Sequence, residues 1–377
     1  MTARVRVKER AFDGAPSLKP KVYSACSSEI SGARMVSFVK TISLTIAVLA
    51  AATLAVAETK TARGQMQPVV LANISAGPRD AEVFGRPTKS TPTLRLGVYD
   101  PGETFANVRD VSIEHVFVYW QALDSPALES KLRYAAERSR QIMITVEPYT
   151  RAENWRDGSE RLFGEIEAGA FDAEIDAICK KVSGVPGHPL IRWGHEMEDA
   201  NGRYPWARRD PSGYVAAYRH VVDRCRERAP SARFIWSPKG ESNLADFYPG
   251  DAYVDVIGLS VWGLEKADQR FYGHRRRFSE ALGEKYHRVA RFSKPVVIAE
   301  LGVAGGQAYR KRWLEEIAEP ARIGRSFPLL RDIVYFNDKE PYHWPMGLGS
   351  PDWRINPHQW KQRADSFHWV QTASAAE

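Results

Sequence analysis

Two glutamates stand at the ends of otherwise apolar runs. Pro189-Leu190-Ile191-Arg192-Trp193-Gly194 leads into His195-Glu196, and Pro295-Val296-Val297-Ile298-Ala299 leads into Glu300-Leu301-Gly302. A carboxylate placed there leaves water, at a cost of several kcal/mol unless it is neutral, paired or hydrogen-bonded. Two such carboxyls facing each other about 5 to 5.5 Å apart are the geometry for retaining glycoside hydrolysis, one as acid/base and one as nucleophile. Trp120, Trp206, Trp236, Trp262 and Trp344 fall at or just past strand-like runs, together with Tyr204, Tyr119 and Tyr149. Flat aromatic faces pack against the C–H face of a sugar ring, and about half of these are expected to touch ligand, the rest being core.

The elements that would hold them alternate regularly. Strand-like runs begin at Leu94, His115, Gln141, Pro189, Arg233, Tyr253, Pro295 and Asp332, eight in all. Amphipathic stretches lie between them, at 125–140, 171–182, 211–229 and 309–322, with Pro126 and Pro211 near two helix starts and Ser125 or Ser212 as candidate caps. This is the arithmetic of a (β/α)8 TIM barrel, an α/β fold of roughly 250 residues whose chemistry sits at the C-terminal ends of the strands. No glycine-rich phosphate loop follows the first strand, which argues against a doubly wound sheet.

The chain has 377 residues, 44% hydrophobic and 26% charged, within the range of globular proteins. Its formal charge of +7 is mostly a leader effect, because residues 1–57 carry eight basic and three acidic side chains and leave 45 against 43 for the rest. A nucleic-acid footprint is therefore not expected. From Met35 the chain reads as a secretory signal peptide, with Lys40, an apolar run over 41–57 and Ala55-Val56-Ala57. We expect a start at Met35, cleavage after Ala57, a linker or extension over 58–92, the catalytic domain over 93–377, and a secreted or periplasmic product with no stable membrane insertion. Cys179 and Cys225, the two cysteines past the cut, lie on apolar helix faces. Buried free thiols are the plainer reading, and a bridge between neighbouring barrel helices the alternative. Neither a metal site nor a cofactor is expected: His195-Glu196-Met197-Glu198-Asp199 lacks the second histidine of H-E-x-x-H and ends a strand, and no G-x-S-x-G is present. Arg275-Arg276-Arg277 is read as a solvated helix face.

The stretches IRWGHEMEDANGRYPWA, FIWSPKGE, YPGDAYVDVIGLSVWG and KPVVIAELGVAG, in this order, resemble glycoside hydrolase family 26 of the retaining (β/α)8 clan, over roughly residues 94–365. The resemblance implies Glu196 as acid/base, His195 as a sugar contact beside it and Glu300 as nucleophile; Tyr204-Pro205-Trp206 match the family's Tyr-Pro-Trp. Two features depart from the family: Glu198-Asp199-Ala200 lengthen the loop before Asn201-Gly202, and Ser260-Val261-Trp262 stand where the family commonly carries Asp-x-Tyr. With these roles, Glu196 should have a raised pKa through burial against Trp193 or Trp206 and repulsion from Glu300, while Arg192 or His195 should keep Glu300 ionised. The expected function is endo-acting hydrolysis of a β-linked polysaccharide of the mannan or glucan type by a monomer; the alternative is a non-catalytic polysaccharide-binding barrel serving exopolysaccharide assembly or export. N-terminal sequencing of exported protein should begin near Glu58, and an intact N-terminus retained in the cytoplasm would contradict the leader assignment.

Overall fold

The computed structural model of the protein describes residues 94–199 and 201–357; the expected leader, cleavage site and linker lie outside them. Eight strands close into one parallel barrel in sequence order: β1 Arg95–Tyr99, β2 Val111–Tyr119, β3 Gln141–Glu147, β4 Leu190–Trp193, β5 Arg233–Trp236, β6 Val256–Leu264, β7 Val296–Ala304 and β8 Leu330–Phe336. The helices are α1 Ser125–Glu137, α2 Ser159–Glu167, α3 Asp172–Ser183, α4 Pro211–Arg228, α5 Glu265–Tyr272, α6 Phe278–Val289, α7 Gln307–Ile317 and α8 Pro320–Ser326. Parallel strands buried on both faces read as near-continuous apolar runs, which is why all eight stand out in the sequence.

Side chains alternate between the barrel axis and the helical layer along each strand. Ile113, Met143, Leu190, Ile235, Val256, Val297, Ala299 and Val334 form one apolar plug inside the barrel. The outward parity meets the helices. On α4, Tyr214, Ala217, Tyr218, Val221, Val222 and Cys225 make the buried stripe that packs there. The helix caps differ from expectation by one and two residues: Asp124 and Asp210, not Ser125 and Ser212, cap α1 and α4 by accepting from Ala127 N and Gly213 N. A carboxylate on the preceding residue reaches the free N–H groups with Pro already occupying the first turn. Arg276 is likewise not a solvated helix residue. It is buried ahead of α6, paired with Asp268 at 2.9 Å and Glu284 at 3.1 Å.

Cys179 of α3 and Cys225 of α4 are bridged, with their Cα atoms 5.4 Å apart, so the plainer free-thiol reading is overturned. Consecutive helices lie side by side, and the two apolar stripes that bury the cysteines also bring them together. Among the described residues no helix is long and apolar enough to cross a membrane.

The bridge closes a loop with a sequence separation of 46 residues. Chain entropy alone assigns such a loop about 4 kcal/mol. A Cys179→Ser/Cys225→Ser variant should therefore melt several degrees lower in scanning calorimetry, and an unchanged transition would show that the bridge does not stabilise the fold.

Candidate active site

Above the apolar plug the inward positions turn polar. Next in parity come His115 on β2, Thr145 on β3, Arg192 on β4, Ser237 just past β5 and Ser260 on β6. Arg192 is fully buried and reaches across the barrel: its Nη1 donates to Glu300 Oε1 at 2.6 Å and to Thr145 Oγ1 at 3.3 Å, its Nε to Ser237 Oγ at 2.8 Å and its Nη2 to Ser260 Oγ at 3.3 Å. Five N–H donors in a rigid fork suit such a multi-strand contact.

Glu300 faces inward because β7 is irregular there. In the β6–β7 ladder Leu259 pairs Ile298 and Ser260 pairs Glu300, so Ala299 is skipped; the β7–β8 register also shifts between Ile298 and Leu301. A bulge adds one residue and resets parity, so that Ala299 remains in the plug and Glu300 still points to the axis. β7 does not end at Glu300, as the sequence suggested, but runs on to Ala304.

Glu196 is placed by strain of a different sort. After β4 the backbone takes positive φ at Gly194 (54°) and at Glu196 (55°), a conformation that a non-glycine residue adopts only when its surroundings impose it. The hold is visible: Glu196 N donates to Ser237 O at 2.8 Å and Gly194 N to Val146 O at 3.1 Å. The Ser260 hydroxyl, which accepts from Arg192, also helps to lower the pKa of the Glu196 carboxyl.

Burial raises both carboxyls, and their neighbours then separate them. Around Glu196, the cations Arg203, Lys285 and Arg192, with the Ser260 hydroxyl, outweigh burial and bring its pKa below the usual glutamate value. Glu300 stays above that value, through burial and repulsion from Glu196 against the pull of Arg192. The two therefore release their protons in separate steps, one below and one above the ordinary value. This order corrects the expected one, because the sequence does not show the cations that gather around Glu196. A third inward carboxyl, Glu147 at the end of β3, is pushed up to about 8 by burial and by Glu300. His195 is buried, its Nε2 3.3 Å from Tyr204 OH, and burial and Arg192 lower its pKa well below the usual range. Of the two expected candidates it is Arg192 that bonds Glu300.

The expected aromatics divide by parity. Trp262 and Trp344 are half-buried at the barrel mouth, edge to face at 6.1 Å, with Trp353 and Phe336 behind them. A Cβ on Gly302 would lie 2.5 Å from Trp262, so glycine there is what lets the indole cross β7. Tyr204 stacks on Trp206 at 4.5 Å, with Trp206 Nε1 donating to His195 O at 2.7 Å. Trp206, Trp120 and Trp236 are 0%, 1% and 0% exposed and are corrected to packing residues. Trp120 stacks on Phe171 at 4.6 Å and donates to Tyr149 O, while Trp236 packs outside the barrel on Tyr248 and Phe292. On the opposite rim Tyr119, 41% exposed, meets Trp155 at 5.5 Å. Sequence reading missed Ser237, Thr145, Lys285, Arg203 and Trp155 and gave Ser260 no bonding role; single hydroxyl residues leave no spacing signal. Among the described residues no cluster of three or more His, Cys, Asp or Glu is arranged to hold a metal ion.

Fold and site define a (β/α)8-barrel protein with a buried glutamate pair at the C-terminal mouth. The profile of glycosyl hydrolase family 26 matches residues 168–320, from the helix before β4 to the helix after β7. Endoglucanase H of Acetivibrio thermocellus is 26% identical over 264 residues, covering 66% of this chain and 26% of that protein. The β-1,3-xylanase TXYA of a Vibrio sp is 27% identical over 109 residues, 26% of this chain and 23% of that one, so the chain spans about a quarter of the curated relatives' length. The solved structure of GH26C from Muricauda sp. MAR_2010_75 shares the fold with a TM-score of 0.50 at 13% identity, covering 65% of this chain and 79% of that chain.

Removing one partner of a buried ion pair leaves an uncompensated charge, which costs about 3 to 5 kcal/mol. Arg192→Met should lose that much in urea denaturation, and Arg192→Met/Glu300→Gln should recover a substantial part; equal losses would mean that the pair is not coupled. Glu147 gives a pH test. Its folded pKa of about 8 lies above the unfolded value, so its contribution is complete below the unfolded pKa and is lost as pH rises toward 8. Wild type should therefore lose on the order of 3 kcal/mol more than Glu147→Gln between pH 5 and pH 8. Parallel pH dependences would show that Glu147 does not hold its proton.

Proposed function

We propose that the protein is a retaining, endo-acting glycoside hydrolase that cleaves a β-linked polysaccharide of the mannan or glucan type. The observation that carries this reading is Glu300, turned into the cleft by the β7 bulge and held by Arg192, with a second buried carboxyl, Glu196, close enough to repel it. Glu300 attacks the anomeric carbon, while Glu196 gives the leaving oxygen its proton and then draws one from water. In the empty cleft the shared proton favours Glu300; the reactive state has it on Glu196, with the carboxylate of Glu300 held by Arg192. Exchange within the pair precedes attack, and a sugar ring over Glu300 favours it by placing the positive anomeric centre against a carboxylate.

Aromatic rims at Trp262 and Trp344 on one side and Tyr119 and Trp155 on the other support sugar binding on both sides of the scissile bond, as internal cleavage needs. Ser260 bonds the Arg192 that holds Glu300, where the family commonly has a tyrosine two residues later, and Trp262 is left free to stack. The Cys179–Cys225 bridge and the apolar leader together favour action in an oxidising compartment outside the cytoplasm.

Reducing-sugar release should be measured on mannan, mixed-linkage glucan and 1,3-xylan. Glu300→Ala should abolish it on every substrate that the wild type cuts. Glu196→Ala should retain turnover only of aryl glycosides with an acidic phenol, and azide should accelerate that turnover by intercepting the glycosyl-enzyme. An inverted first-formed product, or near-normal activity of Glu300→Ala, would contradict the double displacement. The rate against pH should be bell-shaped, with its acid limb below and its basic limb above the ordinary glutamate value. A single ionisation would contradict the shared proton.

A further inference from the structure

Beside the cleft, between α2 and the loop before α4, lies a cavity of about 340 Å3. Arg156, Arg208, Arg209, Ser159 and Tyr204 line it, and no carboxylate does. Its size suits one sugar unit. Among the described residues, none of Arg156, Arg203, Arg208 and Arg209 forms an ion pair, although the other arginines around the barrel do so repeatedly. Arg208 Nη1 is buried without a hydrogen-bond partner. An unmatched buried guanidinium nitrogen is costly, and a cavity rimmed by three arginines accumulates positive potential.

Among the described residues no carboxylate forms an ion pair with Arg156, Arg208 or Arg209, while Arg203 lies within electrostatic reach of Glu196. On their other side Arg208 and Arg209 line a second cavity of about 470 Å3 with Glu198 and Asp199. Asp199 is taken by Lys239 at 2.7 Å, and Glu198 Oε1 by the N–H groups of Gly240 at 2.7 Å and Glu241 at 3.2 Å. Burial moreover raises the pKa of Glu198. Two of the arginines are positioned by aromatic rings that also border the catalytic cleft: Arg156 lies over Tyr149 at 5.4 Å and Arg203 over Tyr204 at 4.9 Å. Arg156 Nε donates to Arg203 O at 3.0 Å, which ties the two together and leaves the outer nitrogens free. The same cavity receives the N-terminus of the nine-residue helix α2, whose N-cap Gly158 offers no side-chain cap to the free N–H groups. Helix dipole and guanidinium groups thus favour the same charge.

We propose that this cavity is an anion subsite and that the β-glycan cut at the neighbouring pair carries acidic groups, a uronate carboxylate or a sulfate ester on a sugar a short distance from the scissile bond. The planar forks of Arg156, Arg208 and Arg209 grip the oxygens of that group, and Ser159 adds a hydroxyl. Recognition of the acidic unit sets the register of the chain, so the bond placed over Glu196 and Glu300 lies at a fixed distance from it. This inference rests on the glycan-cleaving reading for the direction of the chain, but not for the binding itself.

The test uses calorimetry on the full-length chain carrying Glu300→Gln, which binds without cutting. The probes are a β-linked oligosaccharide with one glucuronosyl unit and its carboxyl-reduced counterpart, and a 6-sulfated oligosaccharide and its desulfated counterpart. One acidic form should bind at least about tenfold tighter than its neutral partner, the gap should narrow with added salt, and Arg156→Gln/Arg209→Gln should close it while leaving the neutral form's affinity unchanged. Both replaced arginines are solvent-exposed, and an unchanged melting temperature checks that the fold is kept. The pair that shows the gap identifies the acidic group. Equal binding of acidic and neutral forms, a gap that survives the double replacement, or no binding of any probe would overturn the subsite. Acid-selective binding by a protein that cuts no glycan would instead overturn the hydrolase reading alone, and cleavage with no acid preference the subsite alone.

Discussion

A charged arginine in the middle of a protein needs a reason and a partner, and in this barrel Arg192 has both. It is fully buried one layer above the apolar plug, and its guanidinium touches groups from β3, β6 and β7 and from the end of β5. Coulomb attraction in a dry interior is large, but so is the cost of taking two ions out of water, and the balance is favourable only when each N–H and each oxygen is matched. The hydroxyls of Thr145, Ser237 and Ser260 supply that matching. They are the reason why the layer above the plug is polar, and why the strand ends around it hold one geometry.

Two local distortions depend on this layer and would be costly without it. The bulge in β7 turns Glu300 inward against the alternation that put Ala299 in the plug, and the left-handed backbone at Glu196 leaves the second carboxyl within electrostatic reach of the same guanidinium. Strain of roughly 1 to 3 kcal/mol at such a residue persists only when the surroundings over-determine it. Here the Ser237 carbonyl fixes the Glu196 N–H while the Ser237 hydroxyl takes Arg192, so one residue past β5 serves both. Arg203 and Lys285 then bias the pair electrostatically from outside the layer, which separates the two proton affinities without a metal ligand set.

Much of this was legible in the amino-acid sequence. Eight apolar runs gave the strands to within a few residues, since parallel barrel strands are buried on both faces, and the helix stripes predicted which faces of α3 and α4 carry the cysteines. Parity within a strand also holds information that type and position do not: Arg192 inward requires Trp193 outward, and Ile235 inward requires Trp236 outward, which removes both tryptophans from the cleft. Other features leave no trace in spacing. A bulge is a ladder property of two strands, so nothing in Ala299-Glu300 announces it. Thr145, Ser237 and Ser260 are ordinary residues until a guanidinium is placed among them, and the cations near Glu196 come from distant elements, Lys285 on α6 and Arg203 in the loop before α4. That is why the relative proton affinities of the two glutamates came out reversed.

The central claim is that Arg192 holds Glu300 as the carboxylate that bonds to the sugar. The most direct measurement is to inactivate the enzyme with an activated 2-deoxy-2-fluoro β-glycoside of the sugar it turns over, digest it, and locate the added mass by peptide mass spectrometry. The account predicts one label, on Glu300, forming much more slowly in Arg192→Met. A label on Glu147 or Glu196 would contradict it, as would labelling of Glu300 at an unchanged rate without the arginine.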